Sequence, residues 1–142
     1  YLGAQSGFLC GALSAVLSNI LFGQGPWTPF QMLAWGLIGL FAALLGGILR
    51  KNKIALAVFG ALAGVFYSLI MDIWTVLWWE KFSLSRYLAA IASSGVVMLI
   101  YAASNVIFLL LLAKPTGEKL GRVMKKYGLD GRTQNNHGKE KI

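Results

Sequence analysis

The sequence is poor in the residues that carry most enzyme chemistry: one cysteine, one histidine and five acids in 142 residues. The lone Cys10 excludes an intramolecular disulfide. With His137 isolated in the tail it leaves no ligand set for a metal site, and Cys10 reads as a small packing residue in an apolar run. Asp72, Glu80, Glu118, Asp130 and Glu140 are scattered. The chain therefore lacks the paired carboxylates with which a membrane prenyl or phosphatidyl transferase holds magnesium. No glycine run ends in lysine followed by serine or threonine, which removes a phosphate loop and, with it, a pump that has its own nucleotide site. No buried acid-base relay points to a proton-coupled carrier working alone. An enzyme is thus the least favoured class, and no cofactor or metal is expected.

What fills the chain is apolar. Hydrophobic residues make up 57% and charged ones only 13%, and the apolar residues lie in long blocks instead of the stripes of a soluble core. Four blocks, residues 3–22, 29–49, 54–70 and 87–113, are long enough to cross a hydrocarbon layer about 30 Å thick as helices. Helices are expected because backbone polar groups in lipid must be satisfied within their own segment. The fold class is all-α, a polytopic transmembrane bundle over residues 1–113, followed by a basic tail over 114–142. The first block is not a secretory signal: no basic residue precedes it, and polar residues recur through it.

Basic residues fix the orientation. Arg50, Lys51 and Lys53 crowd the link between the second and third blocks, and the tail carries Lys114, Lys119, Arg122, Lys125, Lys126, Arg132, Lys139 and Lys141. Both regions fall on one side of a four-span topology, which makes that side, and the C-terminus, cytoplasmic. The net charge of +8 needs no nucleic acid to explain it, because the anionic headgroups of membrane lipids lie beside those lysines. Leu120, Val123, Met124 and Tyr127 fall at helical spacing after Pro115 and Thr116, so a short basic amphipathic helix is expected on the inner surface, with a polar segment beyond Gly128.

On the outer side stands the uncharged turn FGQGPWTPFQM, residues 22–32. Gly23 and Gly25 give backbone freedom and Pro26 stops the first helix. Thr28 is then placed as an N-cap, with Pro29 at the first helical position, Gln31 completing a capping box, and Trp27 and Met32 at the positions of a hydrophobic staple. The same turn leaves Gln24, Trp27 and Gln31 at the outer mouth of the bundle, so capping and ligand binding both stay open. Gly3, Gly7, Gly11 and Ala15, then Gly39, Ala43 and Gly47, then Ala57, Gly60, Ala61 and Gly64, form small-residue faces that suit close helix packing within one subunit.

Polar residues gather toward the outer ends: Ser14, Ser18 and Asn19 on the first block, Tyr67, Ser68 and Asp72 on the third. Tyr101, Ser104 and Asn105 fall deeper in the last. Asp72 is a ligand contact, a pin for the outer connection, or a solvated residue at the membrane surface. Trp74 and Trp78 are four apart and share a face if their segment is helical, as an interfacial belt or as an aromatic lid.

The stretch GALSAVLSNILFGQGPWTPFQMLAWGLIGLFAALLGG, residues 11–47, closely resembles the substrate-capturing S component of energy-coupling factor (ECF) vitamin transporters, and LGRVMKKYGL resembles the basic ending of the same group. The resemblance implies six spans, of which the four here are the last four. Two preceding helices are then expected, in keeping with a start at Tyr1 without methionine. The family surface that docks on the coupling protein, an alanine-x-x-x-alanine face of the first helix, has no counterpart in this chain. A vitamin bound near the outer face is also implied, with no ATPase in the chain itself. Energy would come from a coupling module of one transmembrane protein and two ATPase subunits, in a bacterial cell membrane. By the same resemblance Gln24, Trp27, Gln31, Trp35, Asp72 and Trp74 contribute to the site, and the GQGPWTPFQM subgroup points to cobalamin or a related corrinoid. The alternative is a structural or assembly membrane protein, whose glycine faces recruit helices and whose tryptophans only anchor.

Overall fold

The computed structural model describes residues 3–79 and 83–128. Five helices follow one another, α1 (Gly3–Phe22), α2 (Thr28–Leu44), α3 (Gly46–Lys51), α4 (Lys53–Trp79) and α5 (Leu84–Lys126), with no strand among the described residues. The expected all-α class is the one found. Helices α1, α4 and α5 are long and apolar enough to cross a membrane, and α2 is a shorter apolar helix. Glu80, Lys81 and the polar segment beyond Gly128, with His137, lie outside the described residues.

The distribution of side chains is that of a lipid-facing bundle. Buried apolar positions are mostly small, with Ala15 and Ala34 at 0% exposure, while Leu21 and Phe22 stand 81% and 86% exposed. Lipid tails solvate leucine as well as a protein core does, so helices in a membrane associate by close packing of small residues and by polar contacts. The buried polar residues Asn19, Gln31, Ser68 and Asp72 fit that rule.

Helix α1 lies along α2, and α4 along α5; the two pairs meet through α2 and α4. The first seam is backbone on backbone. A Cβ built on Gly7 would strike the Gly39 carbonyl, one on Gly39 the Gly7 carbonyl, and one on Gly11 the Trp35 carbonyl. In the second seam a Cβ on Gly64 would sit 2.6 Å from the Ala102 nitrogen. The small-residue faces at Gly7, Gly11, Gly39, Gly60 and Gly64 thus close seams within the chain. Gly47, grouped with them by spacing, faces open space.

Three boundaries differ from the sequence expectation. The second block does not run unbroken to residue 49: α2 closes at Leu44, and the short α3 restarts across Gly46 and Gly47, residues with poor helix propensity. Asn52 separates α3 from α4, its Oδ1 accepting the N–H groups of Ile54 (2.8 Å) and Ala55 (3.3 Å) as a helix cap. The third block extends to Trp79, which brings Trp74 and Trp78 into α4. The last block continues through Pro115, so that the basic tail segment is the end of one 43-residue helix and not a separate one. At 1.5 Å per residue α5 is about 65 Å long. A proline removes one main-chain bond, here the one to the carbonyl of Leu111, and the helix continues on the bonds either side. Toward the end of α5 Met124 is buried and Leu120 half-buried, while Val123 and Tyr127 are exposed. The Lys126 ammonium lies 5.8 Å from the centre of the Tyr127 ring.

Candidate functional site

The turn between α1 and α2 is built around Asn19. Gly23, at φ +105°, ends α1 by donating its N–H to the Asn19 carbonyl at 2.8 Å, a conformation that glycine adopts without steric cost. The Asn19 amide is buried and sends its two N–H donors across the turn, one to Thr28 Oγ1 (3.0 Å) and one to Gln31 Oε1 (2.7 Å). Thr28 in turn donates to Gln24 Oε1 (3.1 Å), and Gln24 Nε2 donates to the Val16 carbonyl (3.3 Å). Gln31 Nε2 donates to the Tyr67 hydroxyl at 3.4 Å, tying α2 to α4.

The capping box expected here is replaced by this network. Thr28 already lies within the helix, Trp27 is the capping residue in αR conformation, and no side chain caps the helix end. The Thr28 N–H, which Gln31 would have bonded, is taken by the Gly25 carbonyl at 3.0 Å. A buried amide left without acceptors is costly, so Thr28 and Gln31 serve Asn19 instead. The Trp27 ring folds over Gly25, where a Cβ would overlap it.

Below the turn, a cavity of about 490 Å³ opens between the two helix pairs. Its size falls within the usual range for small-molecule sites. Helix α2 contributes Trp35, Ile38 and Ala42, helix α4 contributes Phe59, Ala63 and Tyr67, and helix α5 contributes Tyr101, Asn105 and Leu109. Gly11 and Ser14 form the α1 edge. The rings form a connected wall, with Trp35 6.2 Å from Tyr67 and Tyr67 5.4 Å from Tyr101, the latter pair edge to face.

Of the six residues singled out from the sequence, Trp35 is in the wall. Gln31 is buried directly behind it, bonded to Tyr67. Gln24 and Trp27 are exposed on the turn between α1 and α2 and do not line the cavity. Asp72 is buried and accepts the Ser94 hydroxyl at 2.7 Å, so the solvated alternative for this residue is replaced by a pin between α4 and α5. The Trp74 ring packs at a tilt against Phe30, centroids 5.2 Å apart, and against Trp78 at 5.0 Å, where the start of α2 meets the end of α4. Outside those six, the wall includes Tyr67, Tyr101 and Asn105, which the sequence marked only as polar positions within the spans, and Ile38, Phe59 and Leu109, which it did not mark. Their signal was periodicity: Phe59, Ala63 and Tyr67, and Tyr101, Asn105 and Leu109, each recur every fourth residue and share a helix face. No metal-ligating cluster occurs among the described residues.

A family model described as ECF-type riboflavin transporter, S component, matches residues 1–118. The chain belongs to this family. It is therefore a multi-pass membrane protein and a substrate-binding subunit of an ECF vitamin transporter, a class that works with an ECF module. The family is a transport family and not an enzyme family, and its description names riboflavin where the turn motif had pointed to a corrinoid. Neither curated proteins nor solved structures gave a match to the chain.

Proposed function

We propose that this S component captures riboflavin from the outer side, in the cleft between its two helix pairs, and hands it inward. Energy comes from a separate module of one transmembrane coupling protein and two ATPase subunits; the chain performs no catalysis of its own. The C-terminus is cytoplasmic, because Arg50, Lys51 and Lys53 lie on the same side as the basic end of α5.

The observation that carries this reading is the aromatic wall of Trp35, Tyr67 and Tyr101 around a cavity of about 490 Å³. An isoalloxazine is flat, aromatic on both faces and edged with carbonyl and ring-nitrogen acceptors. Rings in offset or edge-to-face arrangement receive such a plate, while the Tyr67 hydroxyl and the Asn105 amide offer polar points at its margin. A corrinoid is a bulky macrocycle with a nucleotide arm, and this cavity suits it less well. In this assignment Trp35 contacts the vitamin, Gln31 supports Tyr67, and Trp74 with Phe30 and Trp78 forms an aromatic lip at the outer opening. Gln24 and Trp27 hold the rim, and Asp72 pins α4 to α5.

Riboflavin titrated into the purified protein in lipid nanodiscs, with quenching of flavin fluorescence as readout and cyanocobalamin as competitor, tests the proposal. Saturable binding that excess cobalamin leaves in place is expected. Absence of riboflavin binding, or its displacement by cobalamin, overturns it.

A further inference from the structure

The outer turn does more than join two helices: its hydrogen bonds run in one direction and end at the cavity. The Val16 carbonyl can only accept, so the Gln24 amide must face it with nitrogen and turn its oxygen to Thr28. Thr28 spends its single hydroxyl hydrogen on that oxygen. Its lone pairs are then left to accept from the Gly25 N–H (3.4 Å) and from Asn19 Nδ2. The second Asn19 N–H meets the Gln31 oxygen, which leaves the Gln31 nitrogen facing Tyr67. A side-chain amide has donors on one arm and an acceptor on the other, so each link fixes the next. At the last link the Tyr67 oxygen accepts, and among the described residues no acceptor takes its hydrogen.

We infer that Tyr67 is the ligand-facing hydrogen-bond donor of the cavity and that Gln31 is a positioning residue, through which the Asn19–Thr28–Gln24 network holds Tyr67 in that polarity. The site then selects heteroaromatic ligands that present a carbonyl oxygen or ring nitrogen at this point, and disfavours ligands that present an N–H there, since donor would face donor. The inference rests on the proposed riboflavin site and specifies which group reads the edge of the vitamin.

The test uses the whole chain in nanodiscs with riboflavin as probe, comparing wild type, Tyr67→Phe, Gln31→Met and the double variant. Tyr67→Phe keeps the ring and removes the donor, and about a 10-fold loss of affinity is expected. Gln31→Met acts through the 3.4 Å link, a long and therefore weak hydrogen bond, and about a 3-fold loss is expected. The double variant should bind no more weakly than Tyr67→Phe alone, the non-additivity of residues that act in series. The infrared bands of the bound flavin carbonyl and C=N groups supply a readout that a merely structural role would not move, and at least one band should shift in Tyr67→Phe. If wild type binds riboflavin but Tyr67→Phe binds equally well with unshifted bands, this inference fails while the proposed function stands. If wild type does not bind riboflavin, both fail. Should Gln31→Met not fold, Tyr67→Phe alone decides.

Discussion

The seams within each helix pair and the cleft between the pairs differ in the kind of residue that dominates them, although Gly11, Gly39 and Gly64 border both. Gly7, Gly11 and Gly39 bring α1 and α2 into backbone contact, and Gly60 and Gly64 bring α4 against α5. Across the cleft the facing residues are Trp35, Phe59, Tyr67 and Tyr101. Small residues let helices close on each other, whereas rings hold them apart. A guest therefore belongs between the pairs and not inside either one.

The largest effect is expected from filling a seam. In Gly11→Leu the new side chain meets the Trp35 carbonyl, and the α1–α2 pair must separate, at a cost of about 3 kcal/mol or more. The midpoint of thermal aggregation should fall sharply, while Gly47→Leu, placed in open space, should leave it near wild type.

Emptying the cleft should do the opposite. Trp35→Ala removes a wall that faces the cavity, so riboflavin affinity should fall roughly 100-fold with a smaller change in thermal midpoint than Gly11→Leu produces. Equal losses of affinity and stability would show that Trp35 belongs to the packing and not to the site.

Asp72 stands between these cases. Asp72→Ala removes the bond that joins α4 to α5, leaving the Ser94 hydroxyl only the Ile91 carbonyl of its own helix (3.3 Å), and should destabilise the pair by about 1–2 kcal/mol, measured by thermal unfolding in detergent. Asp72→Asn keeps an acceptor and should retain most of the stability with unchanged riboflavin affinity. A drop in affinity in the asparagine variant would make Asp72 a ligand contact instead of a pin. The smallest effect is expected at Asn52, outside seam and cleft alike. Asn52→Ala loses the α4 cap at about 1 kcal/mol, and Asn52→Asp should restore it in the same assay.

The contrast between seam and cleft also explains what the sequence disclosed. Helix α1 could be read to its end because its apolar run is bounded by Gly23, and the glycine seams because their spacing of four is a property of a single helix. Pro115 misled because a proline removes only one main-chain bond, and in a 43-residue helix the bonds on either side of it hold. Thr28 and Gln31 match a capping pattern, but they bond Asn19, nine and twelve residues earlier, and that competitor is visible only once α1 and α2 are paired. The cavity was the least legible feature. Its wall draws on α1, α2, α4 and α5 together, and the faces of Tyr101 and Phe59 acquire meaning only when the two pairs are set side by side.

A riboflavin-bound structure of the intact transporter measures the central claim most directly. The isoalloxazine is expected between the helix pairs, against Trp35 and Tyr101 and within hydrogen-bond distance of the Tyr67 hydroxyl. Flavin lodged at the rim beside Gln24 and Trp27, with the cleft between α2 and α4 filled by side chains, would contradict it.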